Sequence, residues 1–292
     1  MTHVGFIGLG AMGLPMAAHL SAKGFDVAAF DLRAASVDAA AEAGARRAQS
    51  AADAARGAGI LVLMVVNAAQ AAAVLFDGGA LDALDADGTV ILMATCAPAE
   101  VEALDARIAA AGRHLVDAPV SGGVVGARAG TLTIMAAAPA ATFAAVKPVL
   151  DAMGDKVFHV GERPGQGAMV KTVNQLLCGV HIAAAAEALS LAGKAGLDGE
   201  LLLRILGGSA AASWMLNNRG PRMLQDAPEV ASAVDIFVKD LGIVLDAGRD
   251  SRAALPLAAA AHQMFLAASG LGHGSEDDSQ VLAAYRALNG GG

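Results

Sequence analysis

The sequence predicts an α/β protein of two parts: a doubly wound sheet over residues 1–162, then an all-α unit over residues 163–292 built on a long helix between the two. Two observations carry that expectation. Short β-branched runs alternate with alanine-rich helical runs over the first 160 residues, which is the rhythm of βαβ units covered on both faces. The rhythm stops at "GERPGQG". Beyond it the chain is a succession of Ala/Leu helical patterns, broken at Gly207, Gly208, Pro221, Pro228 and residues 270–274.

Residues 4–8 form the first strand and residues 11–23 a helix, followed by a strand at 27–30. The run at 60–66 is apolar throughout, as a parallel strand buried on both faces requires. It opens an uncharged stretch of twenty residues, 57–76, "GAGILVLMVVNAAQAAAVLF", which matches a membrane span in length. Asn67 and Gln70 stand at its middle, and valines give way to alanines there, so a strand, a turn and a helix at 68–75 explain it better. Strands at 89–94 and 114–118 enclose a helix at 99–111. A last pair at 131–136 and 156–160 flanks one more helix and extends the sheet. The apolar run at 167–195 would be about 40 Å long as a helix. The terminal "NGGG" reads as a disordered tail.

Composition narrows the function. Hydrophobic residues make up 55% of the chain and charged residues 16%, enough for a large core, and the formal charge of −8 argues against nucleic acid or an anionic membrane as partner. Cys96 and Cys178 lie far apart, outside any metal-type cluster, which suits a reducing cytoplasm. The opening "THVGFIGLG" has no basic segment or cleavage site of a secretion signal.

"GFIGLGAMGLPM" places Gly8, Gly10 and Gly13 between the first strand and the first helix. In the Rossmann fingerprint the first glycine permits the turn and the second admits a pyrophosphate to the backbone. The third lets helix pack on strand, with the helix N-terminus facing the phosphates. Met12 belongs to the same loop. Asp31, twenty-three positions after Gly8, falls where a carboxylate holds the adenosine ribose, which selects NAD over NADP. Arg33 keeps NADP as the alternative, because a nearby arginine neutralises a 2′-phosphate. Val65, Val66 and Asn67 end one strand and Thr95 follows another, at the edge where doubly wound sheets bind ligands. Asn67 is equally a helix cap and Thr95 equally a turn residue.

"DAPVSGG" offers the hydroxyl of Ser121 and the bare N–H groups of Gly122 and Gly123, a possible nest for a carboxylate, although Ser-Gly-Gly alone is more often an ordinary turn. "PGQGAMVKTVNQLL" sets Lys171 in an otherwise uncharged stretch at the start of the long helix. Oxidising an alcohol needs a base for the hydroxyl proton, and burial and a helix N-terminus both favour a neutral lysine. A structural lysine that snorkels to solvent fits the same local pattern. Asn174 lies one turn further on the same face.

Taken together, "GFIGLGAMG", "DAPVSGG", "GQGAMVKTVNQ" and "FVKDLG", in this order and spread over most of the chain, resemble the β-hydroxyacid dehydrogenase family. That family includes 3-hydroxyisobutyrate dehydrogenase and is related to 6-phosphogluconate dehydrogenase. The resemblance implies that Lys171 is the catalytic acid/base, that Ser121, Gly122 and Gly123 hold the substrate carboxylate, and that Asn174 contacts substrate. It also implies that Val65, Val66, Asn67 and Thr95 border the cofactor and that Lys239 reaches it. Without the resemblance, Lys239 and Asp240 read as a solvated helix pair. It further implies a homodimer or homotetramer formed through the helical domain, whose long helix is apolar on more than one face.

Within the family, "LVLMVVNAAQ", "SWMLNNR", "SAVDIFVKDLG" and "EDDSQV" look most like the branch that oxidises L-threonate at its 2-hydroxyl with NAD. Val65 and Val66 stand where other branches often have Leu-Pro. The alternatives are 3-hydroxyisobutyrate oxidation or tartronate semialdehyde reduction. A nicotinamide-binding sensor without turnover is a different class, expected to lack the lysine that is present here.

Overall fold

Most strands of the sheet lie where the sequence places its short β runs; those at Arg46–Arg47 and Val120–Ser121 are additional. In the computed structural model, which describes residues 2–290, the strands are β1 (His3–Ile7), β2 (Asp26–Phe30), β3 (Arg46–Arg47), β4 (Ile60–Leu63), β5 (Thr89–Leu92), β6 (His114–Asp117), β7 (Val120–Ser121), β8 (Leu132–Ala137) and β9 (Gly154–Gly161). The sheet runs in the order β3-β2-β1-β4-β5-β6-β8-β7, with β9 also paired to β8. From β3 to β6 every pairing is parallel, while β8 joins β6 and β7 antiparallel and β9 pairs with β8 parallel. The uncharged stretch that matches a membrane span is therefore a strand, a turn and the start of a helix.

The helices of this part are α1 (Gly13–Ala22), α2 (Ala34–Glu42), α3 (Ala51–Ala55), α4 (Ala68–Ala72), α5 (Ala80–Ala83), α6 (Pro98–Ala110), α7 (Gly123–Ala129) and α8 (Ala140–Met153). Successive residues of a strand face opposite ways, and the two cores follow that alternation. Val4, Phe6, Val62, Ile91 and Val116 pack with Met16 and Leu20 of α1 and Val149 and Leu150 of α8. Ile7, Leu61, Leu63, Val90, Leu92 and Leu115 pack on the other side with Val101, Leu104 and Ile108 of α6. Both faces are covered, as a parallel sheet requires.

The remaining helices are α9 (Gln166–Lys194), α10 (Gly199–Gly207), α11 (Trp214–Met223), α12 (Val234–Ser251), α13 (Pro256–Ala268) and α14 (Val281–Leu288). The chain divides into two compact units after Lys171, within α9. The second unit has its own core, in which Ile182 and Leu189 of α9 meet Phe237, Leu241, Phe265 and Val281. Phe237 and Phe265 stack with ring centroids 5.1 Å apart. The break expected at Pro221 does not occur there: that proline lies in the last turn of α11, which ends only after Met223. Asn289 is not part of a loose tail, because its amide donates to Ser190 Oγ at 2.9 Å. Gly291 and Gly292 lie outside the described residues.

Candidate active site

The strand register lines up one edge of the sheet. Ile7 pairs with Phe30 and with Leu63, Leu63 with Leu92, and Leu92 with Asp117. Gly8, Asp31, Val65, Thr95 and the segment leading to Ser121 therefore all follow strand ends at the carboxyl edge, where doubly wound sheets bind ligands.

Gly8 turns the chain with φ of +98°, and a side chain there would lie 2.4 Å from the carbonyl oxygen of Met64. A Cβ on Gly13 would stand 1.8 Å from the carbonyl oxygen of Gly8, so α1 can pack this closely only with glycine there. At Gly10 the nearest atom to such a Cβ is Arg33 Nη2 at 3.8 Å, which leaves this part of the loop open to a ligand. Met12 sits half-buried just ahead of α1.

Asp31 follows β2. Its Oδ2 accepts the Leu9 N–H at 2.7 Å, and its Oδ1 accepts from the N–H and Nε of Arg33 at 2.9 and 3.1 Å. Burial alone would raise this carboxyl, but the Arg33 side chain and the backbone N–H groups of Arg33 and Leu9 outweigh it and hold it below its ordinary value. An ionised carboxylate beside an open glycine loop and a helix N-terminus fits the ribose and pyrophosphate of a dinucleotide.

Two further edge positions have local structural duties. Asn67 Oδ1 accepts the Gln70 N–H at 2.9 Å, and Gln70 Oε1 accepts the Val66 N–H at 3.0 Å, which fixes the turn of Val65, Val66 and Asn67 ahead of α4. Thr95 is half-buried after β5. Ser121 ends β7, paired with Thr133 of β8. Gly122 and Gly123 follow with φ of +126° and +60°, conformations that L side chains rarely adopt.

Lys171 is 7% exposed, in the second turn of α9. The helix start is held by Asp117, whose Oδ2 accepts the N–H groups of Gly165 and Ala168 at 2.9 and 2.8 Å. That junction ties the segment leading to Ser121 to the helix that carries Lys171. Sequence motifs do not single out Asp117 for this duty; nothing in its local pattern announces partners 48 and 51 positions away.

In the second unit, Asn174 Nδ2 donates to Gln175 Oε1 at 2.9 Å and to Cys178 Sγ at 3.4 Å. Gln175 Nε2 donates to Asp240 Oδ2 at 2.5 Å, and Lys239 Nζ to Asp240 Oδ1 at 2.6 Å. Lys239 and Asp240 are not the solvated pair that the local pattern alone would suggest: Asp240 is buried, held by the lysine and an amide. The pairing of Gln175 with Asp240 likewise has no sequence signal, because 65 residues separate the two.

Residues 3–161 match the family model for the NAD-binding domain of 6-phosphogluconate dehydrogenase, and residues 165–285 match that for the NAD-binding of NADP-dependent 3-hydroxyisobutyrate dehydrogenase. An L-threonate dehydrogenase of Cupriavidus necator is 46% identical over 97% of this chain and 96% of its own. One from Escherichia coli is 39% identical over 98% of this chain and 95% of its own. The crystal structure of 3-hydroxyisobutyrate dehydrogenase from Salmonella typhimurium superposes with a TM-score of 0.92 at 41% identity, covering 97% of this chain and 99% of that one. The chain belongs to the β-hydroxyacid dehydrogenase family and is an NAD-dependent dehydrogenase of small hydroxy acids.

Proposed function

We propose that the chain oxidises L-threonate at C2 with NAD, using Lys171 as acid/base. The observation that carries the substrate is full-length identity of 46% to an L-threonate dehydrogenase. Bound NAD supplies the hydride acceptor. Lys171, as the neutral amine, takes the hydroxyl proton as C2 is oxidised, and returns it in the reverse direction. Ser121, Gly122 and Gly123 hold the substrate carboxylate and Asn174 its hydroxyls. Gly8, Gly10, Met12, Gly13, Asp31, Val65, Val66, Asn67, Thr95 and Lys239 serve the cofactor. Residues 1–162 act as the NAD-binding domain and 163–292 as the substrate and dimerisation domain, in a cytoplasmic enzyme.

A second reading, 3-hydroxyisobutyrate oxidation, is favoured by the likeness to the Salmonella typhimurium 3-hydroxyisobutyrate dehydrogenase, which is 41% identical. A panel of L-threonate, 3-hydroxyisobutyrate and tartronate semialdehyde, read by reduced-nicotinamide absorbance, separates them. L-threonate should give the highest kcat/KM; a lead for 3-hydroxyisobutyrate would overturn the assignment.

Asp31 sets cofactor choice in this reading. Asp31→Ser removes the charge that repels a 2′-phosphate and releases Arg33 from its hydrogen bonds, so kcat/KM should fall with NAD and rise with NADP. If steady-state kinetics of the unmodified enzyme already favour NADP, Asp31 does not have this role.

The oligomer rests on apolar surface. Within the second unit, α9 buries Ile182 and Leu189 but leaves Val173, Leu177 and Leu191 exposed, and Ile205, Trp214 and Leu257 are exposed on other helices. Large apolar side chains exposed in this number are the surface a second copy would cover. Light scattering coupled to size exclusion should give a dimer or tetramer; a stable species of one-chain mass at micromolar concentration would refute it.

A further inference from the structure

We propose that Asp117 is a positioning residue for Lys171, fixing the first turn of α9 to the carboxyl edge of the sheet. This rests on the reading of Lys171 as the acid/base. Helix starts are ordinarily capped from nearby in sequence, by a Ser, Thr, Asp or Asn at the N-cap. Position 165, before the first residue of α9, is a glycine, and the first turn carries no acidic residue. The donors are met instead from 48 to 51 residues upstream, by Asp117 at the end of β6.

The contact is close and dry. Asp117 is 1% exposed, and both N–H groups converge on its Oδ2, with the Gly167 N–H adding to them. Its Oδ1 is buried without a hydrogen bond, a cost that a purely local cap at the surface would avoid. Around it the packing admits no slack. A Cβ on Gly167 would stand 2.5 Å from the carbonyl oxygen of Met135 and 2.6 Å from that of Asp117, so the second residue of the helix sits against Met135 within β8 and the last residue of β6.

Lys171 follows Ala168 by three residues, about 4.5 Å along the axis and nearly one full turn. A slip or rotation of the first turn is therefore passed to Lys171 undiminished. Burial pushes the Asp117 carboxyl up to about 6, against the pull of the Ala168, Gly165 and Gly167 N–H groups, so at neutral pH the clamp is a carboxylate. Charge-assisted hydrogen bonds of that kind are roughly twice as strong as neutral ones.

The test compares Asp117→Ala, Asp117→Asn and Lys171→Ala by kcat, substrate KM, NAD dissociation constant and thermal melting. Asp117→Ala should bind NAD normally and keep its KM while kcat falls by about tenfold or more, because an ångström of misplacement can cost on the order of 10²-fold. Asp117→Asn keeps a carbonyl oxygen in place of Oδ2 but loses the charge, so it should recover part of that loss. Folded Asp117→Ala with kcat within about twofold of the unmodified enzyme overturns the proposal, since misplacement of a catalytic group costs far more. So does an Asn variant as impaired as Ala. Should the alanine variant not fold, Asp117→Glu decides, because it keeps the charge and displaces the acceptor by one methylene. It should lose kcat at unchanged NAD affinity, and normal kcat counts against positioning. Normal turnover in Lys171→Ala removes the acid/base reading itself, a result distinct from any of these.

Discussion

Replacing Lys171 by alanine is expected to lower turnover by about 10²–10⁴-fold, the usual contribution of general acid–base catalysis, while NAD binding stays close to unchanged. The lysine stands in a stretch with no other charge and is 7% exposed, so it does not snorkel to water as a structural lysine would. Its helix is anchored to the sheet by Asp117, which makes it a group held in place rather than a mobile surface cation. Lys171→Arg should be nearly as inactive, because a guanidinium stays protonated at working pH and cannot take a proton. NAD affinity, measured by titration without substrate, separates loss of chemistry from loss of folding. A Lys171→Ala enzyme turning over at the unmodified rate would end the mechanism.

Arg219→Ala should destabilise the helical unit by about 3–5 kcal/mol, the cost of breaking a buried pair from one side. Arg219 on α11 donates from Nε and Nη2 to the two oxygens of Asp278 at 2.6 and 2.9 Å, and the carboxylate is fully buried. One turn on, Arg222 does the same for Asp277 at 3.1 and 2.8 Å. The two arginines pin the segment before α14 to α11. Without Arg219 the Asp278 carboxylate stays buried and uncompensated, and the melting temperature should fall on the order of 10 °C.

The loss depends on pH. Burial pushes the Asp278 carboxyl from its ordinary 3.8 up to about 6, even with Arg219 opposing it, and removal of Arg219 raises it further. The folded chain then holds a proton that the unfolded chain has released, so stability declines as pH rises from about 4 through 6 and beyond. Arg219→Ala should accordingly be less harmful at pH 5 than at pH 7.5. Melting within about 2 °C of the unmodified protein at pH 7.5 would show that the pair contributes little, since a break of this kind is worth several times that shift.

What could be read from the sequence was whatever has a local period or a fixed spacing. The glycine turn, Asp31, the apolar strands and the long helix are of this kind, and each is found at its expected place. Short elements were not legible. β3 is two arginines, and α3 and α5 are helices of five and four residues, too brief to show a period. The sequence also suggested that β8 would extend the sheet but carried no sign that it would run antiparallel to β6. Direction in a sheet depends on how the connecting helix returns the chain, which no single strand records.

The same division runs through the site. By itself the sequence determined the family and the glycine loop after the first strand, because a motif sets residues a few positions apart. The tertiary structure decided which polar groups meet inside each unit: Asp117 under the helix start, Asp240 between Gln175 and Lys239, and Asp278 beneath Arg219. Each of these carboxylates is buried, and each has a partner 48 to 65 positions away. Burial makes such a charge costly unless a partner meets it, and only the folded chain brings the partner within hydrogen-bonding distance.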